Sequence, residues 1–186
     1  FDIPVTTPRG HASRKYRLAG KIDDVVLDQS GNWWLMEYKT ASKLDGSYFD
    51  RLMVDGQITL YCCALRRLGF PVVGVIYRVI RKPLIRPRKG ETILQFTDRL
   101  AQDYKDRPDF YFMEKKLYRT AEDLDAFEKE LWDQVTLADR QHKAGQNFRH
   151  TCNCNVYGGC RYLPLCTGES NAEALYEIKE PHSELR

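Results

Sequence analysis

Residues 33–40 read WWLMEYKT and end with a glutamate and a lysine two positions apart. Side chains of a β-strand alternate between its two faces, so Glu37 and Lys39 point the same way, together with Leu35. Two carboxylates from neighbouring strands form an oxygen-ligand site for Mg²⁺ or Mn²⁺. A lysine beside such a site can orient or deprotonate a water and stabilise charge on a phosphate. These residue types indicate metal-assisted hydrolysis of a phosphodiester.

A second carboxylate is available in the stretch GKIDDVV, residues 20–26. Asp23 and Asp24 are consecutive and point to opposite faces, so only one of them can join Glu37. The peptide carbonyl of Tyr38 is a further candidate ligand. On these residues alone the alternative stays open that Asp, Glu and Lys form a solvent-facing cross-strand cluster.

The elements that position these residues follow from the apolar pattern. Alternation predicts a strand over 14–28, a turn at 29–32 and a strand over 33–40, which together form a hairpin. Helical spacing predicts a helix over 48–68 that ends at Gly69. The remaining predicted elements are a strand over 71–80, a helix over 91–107, a strand over 110–119 and a helix from Thr120 to about Lys143. This order predicts a mixed α/β or α+β domain with a central sheet.

Gln57 and Tyr61 lie four residues apart, on one face of the predicted helix that follows the Glu-x-Lys strand. Their side chains can hydrogen-bond a nucleic-acid backbone or brace the lysine. Read along the chain, the pattern is G-x-x-D, then E-x-K, then Q-x-x-x-Y on a helix.

In these three motifs, GKID at 20–23, EYKT at 37–40 and QITLY at 57–61, the chain resembles a known family. It is similar to the RecB-like branch of the PD-(D/E)XK nuclease superfamily, which includes phage exonucleases and CRISPR-associated nucleases. The resemblance covers residues 14–166. It implies an α/β restriction-endonuclease-like core, with a central mixed sheet flanked by helices, and an active site that cuts DNA with Mg²⁺ or Mn²⁺.

The resemblance also implies individual roles. The Asp of G-x-x-D is a metal ligand in the family, which selects Asp23 over its neighbour. Glu37 is then the second carboxylate ligand and Lys39 is catalytic, while Gln57 and Tyr61 form the helical motif near the site and the DNA. The family further suggests an exonuclease of recombination or DNA-end processing in the cytoplasm of a bacterial or phage-infected cell.

The bulk composition restricts the partners only weakly. The chain has 186 residues, a formal net charge of +3 and no apolar run long enough to cross a membrane. The stretch 78–89 is basic throughout, with six cations and no acid, which suits a polyanion such as DNA, although a solvated loop is the alternative. The six candidate DNA-binding residues are Arg78, Arg81, Lys82, Arg86, Arg88 and Lys89.

Four of the six cysteines fall within residues 152–166: Cys152, Cys154, Cys160 and Cys166. The N-terminal stretch lacks the basic start and apolar core of a secretory signal, so a metal or cluster site is favoured over disulfides. Four thiols at this density can hold zinc or an iron–sulfur cluster. His150, beside them, is an alternative ligand.

The resemblance favours a [4Fe–4S] cluster over zinc. In many RecB-like nucleases the last three cluster ligands are C-terminal cysteines, here Cys154, Cys160 and Cys166, and Tyr162 matches the aromatic of that pattern. The family's fourth cysteine lies upstream of the core, whereas the first cysteine here is Cys62. Either an upstream piece carried that ligand, or Cys152 replaces it, or no cluster forms.

The predicted organisation is a nuclease core over 1–150, a cysteine-rich segment over 151–168 and a polar tail over 169–186. The missing upstream ligands predict that the working protein is longer than this chain, with an upstream segment or a recombination or helicase partner. Two other functions remain open at this stage. One is a non-catalytic DNA-binding module on the same fold, and the other is a metal- or cluster-binding interaction domain whose carboxylates are structural.

Overall fold

A computed structural model describes residues 1–146, 149, 151–155 and 158–179, and it divides the chain into two compact units, residues 1–132 and 133–186. The strands are β1 (Asp2–Thr6), β2 (Ala12–Ala19), β3 (Asp24–Leu27), β4 (Trp33–Ala41), β5 (Val72–Arg81) and β6 (Phe112–Tyr118). The α-helices are α1 (Gly46–Asp50), α2 (Gly56–Arg67), α3 (Ile93–Asp106), α4 (Pro108–Tyr111), α5 (Ala121–Lys143) and α6 (Leu163–Thr167). Short 3₁₀ turns occur at Arg51–Val54, Thr151–Asn153 and Ala172–Leu175. No helix of the described ranges is both long enough and apolar enough to cross a membrane.

The main sheet has the strand order β3-β4-β5-β6. Its outer pairs are antiparallel and its central pair, β4 with β5, is parallel. Leu35 is buried on one face of this sheet in a cluster that includes Ile58 of α2, whereas Trp34 and Met36 are buried on the other face. The predicted α/β class with a mixed, helix-flanked sheet is therefore confirmed, and so is the predicted alternation along β4.

The prediction of one strand over 14–28 is wrong, because residues 20–23 interrupt it. β2 pairs with β1 in a separate two-stranded sheet, and only β3 forms the predicted hairpin with β4. The break falls at Gly20, where a Cβ would lie 2.5 Å from the ring of Phe1 and 3.1 Å from Cε1 of Tyr61. Glycine thus leaves room for two aromatic rings at the point where the chain passes between sheets.

The prediction of one helix over 48–68 is also wrong in its first part. The segment forms α1, a 3₁₀ turn and then α2, because Asp55 adopts an extended backbone and its carboxylate caps α2 by accepting from the Ile58 amide at 3.0 Å. Both halves bury apolar residues in one core, which is why the apolar spacing continues across the break. The predicted later elements are confirmed to within about two residues, and α4 is an addition to them.

Candidate active site

The end of β4 carries a charged pair at the border of the core. Glu37 is 2% exposed and pairs across the parallel ladder with Tyr77 of β5. One of its oxygens, Oε1, forms an ion pair with Nζ of Lys39, whose side chain is 38% exposed. The two side chains lie on one face of the strand, with Glu37 at a buried position and Lys39, two residues nearer the strand end, reaching solvent.

Asp23 lies one residue before β3, opposite this pair. Asp24 pairs with Met36, so the antiparallel register brings the preceding residue beside Glu37. Oδ2 of Asp23 accepts a hydrogen bond from the Tyr38 amide at 3.1 Å. Asp24 instead accepts from the neighbouring Val25 amide at 2.7 Å. The structure therefore brings Asp23, and not Asp24, to the peptide between Glu37 and Lys39.

The second oxygen of Glu37, Oε2, is buried and has no hydrogen-bond partner among the residues that the structure describes. Leaving a buried acceptor unsatisfied costs about 1–3 kcal/mol, so such an atom needs an explanation. A divalent cation supplies one, since Mg²⁺ binds through one or two carboxylates and keeps several waters. The donors Asp23, Glu37 and the Tyr38 carbonyl fit that ion. In the described part of the chain, no three His, Cys, Asp or Glu side chains gather at one point.

The ammonium of Lys39 is stabilised by its surroundings. Partial burial alone would lower the pKa of Lys39, but the hydrogen bond and charge of Glu37, followed by Asp23 and Tyr61, outweigh it and raise that pKa. Lys39 is therefore protonated at neutral pH. In this state it donates hydrogen bonds and attracts negative charge.

The helical motif lies beside the same lysine. Nε2 of Gln57 donates to the hydroxyl of Tyr61 at 3.1 Å, and Tyr61 is close enough to Lys39 to contribute to its pKa. The ring of Tyr61 packs edge-on against Phe1, with centroids 5.7 Å apart. The two residues of Q-x-x-x-Y thus contact each other, and Tyr61 lies near the charged pair.

Two tyrosines complete the buried side of the site, and neither was predicted there. The hydroxyls of Tyr48 and Tyr77 lie 3.3 Å apart. The pKa of Tyr77 is raised, first by burial, then by the hydrogen bond and charge of Tyr48, and then by the charges of Asp55 and Glu37. Its phenol therefore stays protonated beside the Glu37 carboxylate. Tyr77 is 4% exposed and belongs to the hydrophobic core. Its position next to Glu37 follows from the β4–β5 register, which no local pattern in the sequence reveals.

The six predicted DNA-binding cations fall into two groups. Nε of Arg78 pairs with Glu114 at 2.7 Å, and Arg81 donates to the carbonyls of Phe110 and Leu44 at 3.0 and 3.3 Å. These two arginines are held by the protein itself. The other four are exposed and form no ion pair within the described residues: Lys82, Arg86, Arg88 and Lys89.

The cysteines also fall into two groups. Cys62 and Cys63 are buried in α2, and burial raises the pKa of each thiol to about 12. In the second unit, the Cys160 amide donates to the Cys154 carbonyl at 2.8 Å. The second-unit thiols, Cys152, Cys154, Cys160 and Cys166, are half-buried or exposed. Within the described ranges, no three of these thiols are gathered into a ligand set. The alternative ligand His150 lies outside the described residues.

Comparison with known proteins agrees with the fold. A model of the PD-(D/E)XK nuclease superfamily matches residues 1–167, and the chain therefore belongs to that superfamily. No curated protein and no solved structure matches the chain. Membership of this superfamily indicates a nuclease.

Proposed function

We propose that this protein is a Mg²⁺- or Mn²⁺-dependent deoxyribonuclease. The observation that carries the proposal is that Oε2 of Glu37 is buried and has no hydrogen-bond partner among the described residues, while Oε1 of the same carboxylate forms an ion pair with Lys39. Asp23 is hydrogen-bonded to the peptide between these two residues. An apolar strand that ends in a costly charged group is explained if the group is used in chemistry.

Each side chain has a distinct part in hydrolysis. Asp23, Glu37 and the Tyr38 carbonyl would hold the cation, which when bound polarises the phosphate and lowers the pKa of a water. The Lys39 ammonium positions the attacking water and offsets negative charge on the phosphate as the reaction proceeds. The hydrogen-bonded pair Gln57–Tyr61 borders this point and contacts the DNA backbone.

Within the superfamily we assign the chain to the RecB-like branch and to exonuclease action in recombination or DNA-end processing. The assignment is supported by the order of the three motifs and by the contact between Gln57 and Tyr61. We further propose that the protein acts in the cytoplasm of a bacterial or phage-infected cell, together with a recombination or helicase partner.

The test uses two adjacent aspartates. Asp23→Asn and Asp24→Asn make the same chemical change, but only Asp23 is hydrogen-bonded to the backbone between Glu37 and Lys39. With Mn²⁺ and end-labelled linear DNA, Asp23→Asn should lose about a hundredfold or more of the rate, as when one charge-stabilising group is removed. Asp24→Asn should cut like the unaltered chain. Equal rates for the two variants would contradict the assignment, and cutting of closed circular DNA would contradict exonuclease action.

The iron–sulfur cluster stays a separate prediction, supported by the spacing of the four C-terminal cysteines. Protein purified without oxygen should contain iron and acid-labile sulfide and absorb visible light. Colourless protein that contains zinc alone, or no metal, would show that the cysteines have another role.

A further inference from the structure

Residues 82–107, between β5 and α4, form a segment that we call the basic arm. It comprises a loop and then α3, which has no buried residue. Because β4 and β5 are parallel, the arm leaves the sheet at the end where β4 presents its charged pair. Lys39 pairs with Val79, and the Lys82 amide still donates to the Ala41 carbonyl at 2.8 Å. The arm therefore begins three residues beyond the catalytic lysine, or about 10 Å at a strand's rise per residue.

The loop of the arm carries uncompensated positive charge. Its four exposed cations have no carboxylate partner in the described part of the chain. The one acid among residues 82–92 is Glu91, and that carboxylate is occupied by Arg99. About 10 Å corresponds to roughly three nucleotide steps of 3.4 Å, so the loop lies within reach of phosphates that flank the bond at Lys39.

A partly exposed clasp of hydrogen bonds sets the shape of the loop. Two of the three guanidinium nitrogens of Arg99, Nε and one Nη, donate to the two carboxylate oxygens of Glu91, each at 2.8 Å. The same Nη donates to the carbonyl of Arg86 at 2.9 Å, and Glu91 accepts from the Arg88 amide at 2.8 Å. These bonds fix the backbone on both sides of Pro87 and leave the side chains of Arg86 and Arg88 in solvent.

The base of the arm is fixed as well. Arg107 donates to the carboxylate of Asp103, and the hydroxyl of the buried Tyr111 donates to the same carboxylate. Tyr104 of α3 packs against the ring of Tyr111, with centroids 4.2 Å apart. The arm is thus held at its loop and at the end of its helix, and its cations project from a defined backbone.

We propose that the basic arm is a preformed clamp for the phosphate backbone of DNA, in which Glu91 and Arg99 are positioning residues. The proposal rests on the proposed nuclease function, because it assigns the arm to the substrate of that active site. A fixed array of cations binds phosphates without first having to order a loop. Phosphate contacts of this kind set the register of the strand and carry no sequence preference.

The first test measures how DNA affinity depends on salt. Fluorescence anisotropy is recorded with labelled duplex DNA, in chelator so that no cutting occurs, from 50 to 200 mM salt. Each phosphate contact contributes about 0.9 to the slope of log K against log salt. Arg88→Gln/Lys89→Gln should make this dependence less steep by about 1.8. Between 50 and 200 mM salt, the affinity of the unaltered chain should therefore fall about 12-fold more than that of the variant. Arg9→Gln/Lys129→Gln removes the same charge from exposed sites outside the arm and should leave the slope unchanged.

The second test separates position from charge. Glu91→Gln removes a negative charge from a basic surface, so a simple electrostatic attraction predicts tighter binding. The clasp predicts the opposite, a loss of about threefold or more, equivalent to one phosphate contact. Arg99→Lys keeps the positive charge but loses the bidentate interaction with Glu91, so it should weaken DNA binding by a similar factor. Glu130→Gln, an exposed acid on α5, is the matched charge control.

The outcomes distinguish this proposal from the nuclease assignment. The binding assay needs no catalysis. If the unaltered chain does not cut DNA but Arg88→Gln/Lys89→Gln still weakens the salt dependence of binding, the result supports the clamp and counts against the nuclease assignment. Cutting that depends on Asp23, with an unchanged slope in Arg88→Gln/Lys89→Gln, would overturn the clamp. Binding by Glu91→Gln as tight as that of the unaltered chain, or tighter, would overturn the positioning role. Thermal unfolding of each variant verifies that it is folded.

Discussion

Replacing Glu37 by leucine should abolish cutting and make the protein more stable. Its Oε2 is buried and has no hydrogen-bond partner in the part of the chain that the structure describes, so the folded state carries a desolvated charge that a divalent cation would offset. Leucine has a similar volume and removes the unsatisfied atom. The lysine that loses its partner is 38% exposed and can return to water.

The size of the effect follows from these two contributions. Removing the unsatisfied oxygen should gain about 1–3 kcal/mol, and losing a half-exposed ion pair should cost about 0–1 kcal/mol. Taking the middle of each range, the net gain is about 1.5 kcal/mol in the free energy of unfolding. For a chain of 186 residues, this gain raises the melting temperature by roughly 3–6 °C.

The assay is thermal unfolding in chelator and then in Mn²⁺. Glu37→Leu should melt higher than the unaltered chain in chelator and should not respond to Mn²⁺. The unaltered chain should gain about 2.7 kcal/mol once Mn²⁺ reaches a hundred times its dissociation constant. Glu130→Leu is the exposed control and should change stability by at most about 0.5 kcal/mol. A lower melting point for Glu37→Leu in chelator would refute the reasoning, because Glu37 would then stabilise the fold.

Three further outcomes test the surrounding structure. Hydrogen bonds, that of the Trp34 indole first, lower the pKa of Asp28 to about 2. Because this pKa is higher in the unfolded chain, the ionised Asp28 stabilises the fold above about pH 4, and the stabilisation disappears as the pH falls through 2. Asp28→Asn should therefore show a weaker acid dependence of stability by circular dichroism. Cys62 and Cys63 should resist alkylation at pH 8, as judged by mass spectrometry, while the second-unit thiols react. Arg119→Met should lose about 2–4 kcal/mol in urea unfolding, because two buried oxygens lose their donor.

The local geometry of the site could be predicted because it depends on neighbouring residues in one strand. Alternation along β4 predicted that Glu37 and Lys39 share a face, and the structure confirms this. The predicted helix over 91–107 also followed from local apolar spacing, and its capping box at Thr92 agrees with that start.

Other features depend on contacts between distant parts of the chain. The pairing of β2 with β1, rather than with β4, is set at Gly20 by rings from Phe1 and Tyr61. The clasp of Glu91 onto Arg99 spans eight residues and two elements. Neither has a periodic signal, so the sequence indicated a basic loop and a helix but not the clasp that joins them.

The most direct test of the central claim is digestion of end-labelled linear DNA with Mn²⁺, comparing the unaltered chain with Lys39→Ala and with a chelator control. The unaltered chain should degrade the DNA, and both the substitution and the chelator should abolish this degradation. Degradation that persists in Lys39→Ala would contradict the central claim, because the reaction would then come from a site other than the end of β4.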